Sequence, residues 1–154
     1  MKDKGGGFKT STKGGEVNRQ SLGWARLKNK KEEAKMRPTV VIDPGTMEWS
    51  SAPEDLPPGA MLKVLSADEE TGAVAAIVKL PAGYLEPKHG HPCGHDVLIM
   101  QGKLVNPETG QETAKGMFFY APKGDIHGPF QVPKDEDCIF FVATDGPLFP
   151  LVKP

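Results

Sequence analysis

From Arg37 onward, apolar residues come in short runs, each closed by proline, glycine or a turn-forming acid, which is the pattern of a β domain and not of amphipathic helices. PTVVID (38–43), MLKVLSA (61–67) and AVAAIVKLPAG (73–83) read as strands, the last two joined by a hairpin turn at DEETG (68–72). DVLIMQGKLV (96–105) reads as one long strand, with a turn at NPETG (106–110) behind it. MFFYAP (117–122), IHGPFQV (126–132) and CIFFVAT (138–144) read as three more, whereas SSAPEDLPPG (50–59) is too rich in proline for regular structure. The pattern predicts about eight to ten short strands, as in a sandwich or barrel. No internal repeat is visible, so a single barrel is expected.

The first 36 residues have a different texture and divide the chain. Residues 1–19 are rich in Gly, Lys, Ser and Thr with almost nothing to bury, so they are expected to be mobile. Residues 21–36 carry Leu22, Trp24 and Leu27 ahead of a wholly charged stretch, readable as a short helix or as an arm against the domain. Residues 1–36 hold ten Lys or Arg against four Asp or Glu, a net of +6, which leaves nine against sixteen, a net of -7, on residues 37–154. A basic leader in front of an acidic domain admits contact with an anionic partner, but a solvated extension is the simpler reading, and Met36 is itself a candidate start. The expected organisation is a basic extension over 1–36 and one domain over 37–154.

Two cysteines, Cys93 and Cys138, do not make a disulfide framework, and no apolar run approaches the ~20 residues of a membrane span. The N-terminus lacks the apolar core of a signal peptide, so a cytoplasmic protein with no membrane contact is expected.

The chemistry-bearing residues are concentrated. The chain has four histidines, three of them, His89, His91 and His95, within GYLEPKHGHPCGHDVLIMQG (83–102), and the fourth, His127, in GMFFYAPKGDIHGPF (116–130). Alternation along an extended strand turns His89, His91 and His95 to one face and Asp96 to the other, although Pro92 and Gly94 interrupt the strand. Imidazoles gathered this way suit iron, nickel, copper, zinc or manganese and not an all-oxygen magnesium or calcium site.

The same stretches resemble the paired motifs of the cupin superfamily. Gly83, His89, His91 and Gly102 stand at the places of its first motif, and Gly116, Pro122, Gly124 and His127 at those of its second, eight positions in order. Two places depart from the pattern: His95 stands where the family's glutamate ligand would be, and Gln131 where an asparagine would be. The resemblance implies a single cupin β-barrel, a jelly roll, with a divalent transition metal held by His89, His91, His95 and His127. Iron(II) or manganese(II) is favoured, with zinc, nickel and copper also compatible. Four neutral imidazoles would leave the ion's 2+ charge uncompensated and favour an anionic, enolate-like substrate.

Tyr84, Glu86 and Asp96 are candidate acid–base residues, and Asp125 also flanks the motifs, although a loop position exposed to solvent is the commoner fate of such residues. Cys93 lies between histidines with the parity of a ligand, but a buried structural thiol is the favoured reading. Cys138 opens an apolar strand and reads as core. Phe118, Phe119 and Tyr120 alternate along a strand, so some of them should line the barrel wall. Among cupins, all-histidine sites occur in carbon–carbon bond-cleaving dioxygenases, so the leading expectation is an oxygenase acting on an enolisable or phenolic ketone. A redox-neutral lyase, isomerase, cyclase or decarboxylase, and a metal-loaded sensor or binding module, are the alternatives. The expected partners are a small-molecule substrate and a second copy in a homodimer, with no nucleic acid.

Overall fold

The computed structural model describes residues 37–154, which form one compact unit. The expectations for residues 1–36 lie outside the described residues. Among those residues the only helical element is a single 3-10 turn at Pro44–Thr46, capped by the Asp43 carboxylate, which accepts from the Gly45 amide at 2.8 Å. Everything else regular is strand. No helix among the described residues is long and apolar enough to cross a membrane.

The strands fall into two antiparallel sheets. Strands β1 (Ser50–Ser51), β2 (Met61–Ala67), β3 (Ala73–Leu80), β5 (His95–Gln101), β8 (Phe118–Ala121) and β10 (Cys138–Pro147) make a six-stranded sheet in the order β1-β2-β3-β10-β5-β8. Strands β4 (Leu85–Glu86), β6 (Lys103–Val105), β7 (Glu112–Ala114) and β9 (Phe130–Gln131) make a four-stranded sheet in the order β4-β9-β6-β7. The long partners are β3 and β10, paired from Leu80↔Cys138 to Ala75↔Ala143, and both are rich in β-branched and aromatic side chains. Beside the hairpin neighbours β2–β3 and β6–β7, the pairs β3–β10, β10–β5, β5–β8 and β4–β9 join strands far apart in sequence, which is jelly-roll topology, so the all-β barrel expected from the strand pattern is what forms.

Turn chemistry closes the hairpins. At residues 68–72 the Asp68 carboxylate accepts from the amides of Glu70 and Thr71 at 3.0 and 3.3 Å, and the Gly72 amide reaches the Asp68 carbonyl at 2.8 Å. Asn106 repeats the device with the amides of Glu108 and Thr109.

Three segments differ from the sequence reading. Residues 38–43 are not a strand: Pro38 and Pro44 bracket them, they pair with nothing described, and Val41 stands 94% exposed. The run 96–105 is two strands in different sheets, because Gly102 takes φ +67 and the chain turns there. A Cβ at Gly102 would run into the Asp137 carbonyl, so glycine serves both the turn and the close approach. Residues 126–132 contain only the two-residue β9, with His127 forming a lone bridge to His89.

The core lies between the sheets. Leu80, Ile99, Val132 and Cys138 are essentially inaccessible, and Val78, Val97, Leu104 and Val142 complete the cluster on the side where the histidines stand. These last four also form the floor of a small chamber, so the site rests directly on the packed interior.

Candidate metal centre

Each histidine is placed by a different piece of backbone. His89 and His127 face one another across a two-residue bridge, with the His89 amide donating to the His127 carbonyl at 3.0 Å and the return bond at 2.9 Å. Gly90 makes that crossing feasible, since a Cβ there would lie 2.8 Å from the Asp125 carbonyl oxygen. The Gly90 amide and carbonyl both pair with Val152, so residues 148–152 strap the segment from outside. His91 precedes a bend at Pro92–Cys93, and His95 opens β5. In β5 burial alternates strictly from His95 to Met100, so His95 points inward and Asp96 outward.

Three of the rings bring donor atoms within 4.8 Å of one another: His89, His91 and His127. His95 lies beside this group, its ring centroid 4.5 Å from that of His91 and 5.2 Å from that of His127. The parity argument from sequence reaches the right face for the wrong local reason. Residues 89–95 are not a continuous strand but a bridge, a bend and a strand start that converge.

Hydrogen bonds select the ring tautomers. Nδ1 of His89 lies 2.8 Å from the Pro87 carbonyl and Nδ1 of His91 lies 2.9 Å from the Leu148 carbonyl. A carbonyl only accepts, so both Nδ1 atoms carry the hydrogen and both Nε2 atoms present lone pairs. Those two Nε2 atoms are 3.1 Å apart, a contact in which neither can donate to the other. Two ligands at right angles on an ion, each at about 2.1 Å, would stand about 3.0 Å apart, so this pair is spaced to share one electrophile. The Nδ1 atoms of His95 and His127 are buried with no hydrogen-bond partner among the described residues. The donor set therefore fits a transition-metal ion.

Burial sets the protonation state. It pushes His91 down to about 4, His127 down to about 3, and His95 in the same direction, so these three rings are neutral and available as donors at neutral pH. Burial acts oppositely on Glu86, raising its carboxyl, with His89 opposing the shift.

The chamber encloses about 50 Å³, room for a ligand of only a few heavy atoms without side-chain movement. Its polar lining is Glu86 and the four histidines, and the rest is apolar: the valine and leucine floor, Leu56, Leu62 and Leu148, and Phe119, Phe130, Phe140 and Phe149. Among the described residues no lysine or arginine lines it, so the described wall offers phosphate or carboxylate groups no counter-charge.

Of the candidate acid–base residues, only Glu86 reaches this space. Tyr84 belongs to the hydrophobic core, its hydroxyl donates to the Pro57 carbonyl at 2.8 Å, and burial pushes it up to about 12, so it is a structural tyrosine. Asp96 is exposed on the outer face of β5, and the Asp125 carboxylate stays 3.9 Å from His127 Nδ1 and half exposed. Cys93 and Cys138 are buried free thiols outside the chamber lining, raised by burial, which favours the inert thiol in both. In the aromatic stripe Phe119 turns inward, while Phe118 and Tyr120 are 60% and 57% exposed. The sequence reading missed the strap, whose Leu148 and Phe149 close the chamber and orient His91. Its one signal was the apolar run within the proline-punctuated tail.

A jelly roll with converging histidines from two glycine-flanked motifs defines a cupin. The chain belongs, more narrowly, to the ChrR cupin-like domain family, which it matches over residues 37–147. The DNA damage-repair/toleration protein DRT102 of Arabidopsis thaliana is 34% identical over 98 residues, 61% of this chain and 29% of that protein, so the chain spans less than a third of its relative. The acetylacetone dioxygenase of Acinetobacter johnsonii superposes with a TM-score of 0.58 at 22% identity, covering 78% of this chain and 79% of that one. The polyketide cyclase RemF of Streptomyces resistomycificus does so with a TM-score of 0.62 at 18% identity, covering 75% and 85%. Identities this low establish a shared fold and no more.

Proposed function

We propose that this chain is a metal-dependent enzyme that oxidises a small, apolar, enolisable or phenolic ketone with dioxygen, its ion held by His89, His91, His95 and His127. The observation that carries the reading is the composition of the chamber: neutral imidazole donors at one end and an otherwise apolar, phenylalanine-rich wall. A wall of this kind cannot satisfy several oxygens of a sugar or neutralise a phosphate, so a substrate must be mostly apolar, with its few oxygens directed at the histidine end. Bound iron(II) or manganese(II) supplies a Lewis acid and open positions for oxygen ligands. The residues do the remainder. Pro87 and Leu148 hold the His89 and His91 rings in the tautomer that presents Nε2, Phe119 and Phe130 flank His95 and His127, and Leu148 with Phe149 excludes water.

The shared fold with an acetylacetone dioxygenase supports the oxidative reading, and that with a polyketide cyclase supports a redox-neutral one on the same site. An oxygen electrode separates them. The iron-loaded protein should consume oxygen with β-diketones or hydroxylated aryl ketones, and none should be consumed by H127A. Substrate turnover without oxygen uptake would favour lyase, isomerase or cyclase chemistry, and no turnover across the panel would contradict both.

A further inference from the structure

We propose that Glu86 supplies the carboxylate of the metal centre, from strand β4 and not from the motif position that His95 occupies. The inference rests on the metal-centre reading above and extends it to a fifth donor that no motif identifies.

Glu86 is turned the unusual way. On the two-residue β4 its apolar neighbour Leu85 is 55% exposed while the Glu86 side chain keeps only 10% of its surface, so the pleat puts the acid inside and the leucine outside. Its carboxylate accepts no hydrogen bond from any described residue; His89 is the basic group beside it, and among the described residues no lysine or arginine lines the chamber. Holding a carboxylate away from water is unfavourable, and a cation bound beside it would offset that cost.

The neighbouring atoms show where that cation belongs. Glu86 Oε1 is 3.7 Å from Nε2 of His89. Because His89 commits its hydrogen to the Pro87 carbonyl through Nδ1, this Nε2 has no proton to give, and the contact sets two lone-pair donors side by side. Nε2 of His91, 3.1 Å from the same His89 atom and equally unable to donate, is the third. With Glu86 ionised and both rings neutral, three lone-pair donors converge on one electrophile. With Glu86 included, the charge of a bound divalent ion falls from 2+ to 1+, and a hard oxygen joins the nitrogens, which shifts preference toward manganese(II) and iron(II) relative to an all-imidazole set. The acidic partner has moved from the usual strand to the facing one, leaving His95 free to take its place.

The test is a calorimetric titration of metal-free protein with Mn²⁺ and with Zn²⁺, using chelator competition, for the wild type, E86Q and H127A. E86Q should bind Mn²⁺ at least ten-fold more weakly and lose less for Zn²⁺, while metal-free E86Q melts no lower than wild type, since the carboxylate makes no hydrogen bond with a described residue that the amide would lose. Unchanged Mn²⁺ affinity in E86Q would overturn the inference, as would a lowered melting temperature in the metal-free variant, the sign of a structural role. Retention of full Mn²⁺ affinity by H127A would instead overturn the metal-centre reading itself.

Discussion

At the scale of single residues, the centre depends on which atoms carry hydrogen. His89 and His91 are the two rings whose tautomers are held by backbone carbonyls, so their contribution is orientation as much as ligation. His95 and Asp96 are adjacent yet differ in every relevant respect: one is 4% exposed inside the chamber, the other lies on the outer face. H95A should therefore weaken metal binding beyond the ~10 to 100-fold typical of outer-sphere losses, and D96A should leave it nearly unchanged, as read by chelator competition. If D96A strips the metal and H95A spares it, the fourth donor has been misassigned. Gly90 is a second sharp test. G90A forces a methyl group against the Asp125 carbonyl and pries the His89 and His127 segments apart, so metal affinity should drop severely while the far-UV spectrum remains that of a β protein. The clustering of the histidines could be read from spacing alone, whereas parity gives the inward face of His95 without the bend that produces it. The facing of Tyr84 and Glu86 could not, because they follow a turn at Gly83, Tyr84 ahead of β4 and Glu86 on it, and a two-residue strand is too short for alternation to mark.

At the scale of elements, the strap formed by residues 148–152 matters most. It adds no strand to either sheet, yet it supplies the carbonyl that orients His91, two side chains of the chamber wall and the bridge to Gly90. Deleting residues 148–154 should leave both sheets folded, since β10 ends at Pro147, and should lower metal affinity by roughly the ~10 to 100-fold of an outer-sphere loss. Unchanged affinity in the truncated protein, measured by the same competition assay, would show that His91 needs no such support. Strands β2, β3, β5 and β10 were legible as apolar runs of strand length closed by turn residues, although burial alternates strictly only in β5. Residues 38–43 carry β-branched side chains without a partner, and no local signal distinguishes a strand former that is paired from one that is not. Gly102 was visible as a motif glycine, but that it moves the chain from one sheet to the other depends on the Asp137 carbonyl far along the sequence.

At the scale of the whole molecule, a packed core supports a floor of shared valines and leucine, and the floor supports a ring of bases that must stay neutral. That arrangement makes the metal-free domain acid-sensitive in a definite window. His91 and His127 are held at about 4 and about 3, below the 6.5 of a free imidazole, so the unfolded chain takes up protons first as pH falls. Stability of the metal-free domain should be flat above about pH 6.5 and decline from there toward pH 4, with Glu86, shifted upward, opposing the trend in part. Melting curves of metal-free protein across this range check the sign, and an unchanged melting temperature at pH 4 would contradict it. The most direct measurement of the central claim is elemental analysis of protein reconstituted anaerobically with iron(II), comparing the wild type with H89A, H91A and H127A. One equivalent per chain in the wild type and almost none in each folded variant is the predicted result. Full occupancy in any of the three variants, or no bound metal in the wild type, would contradict it.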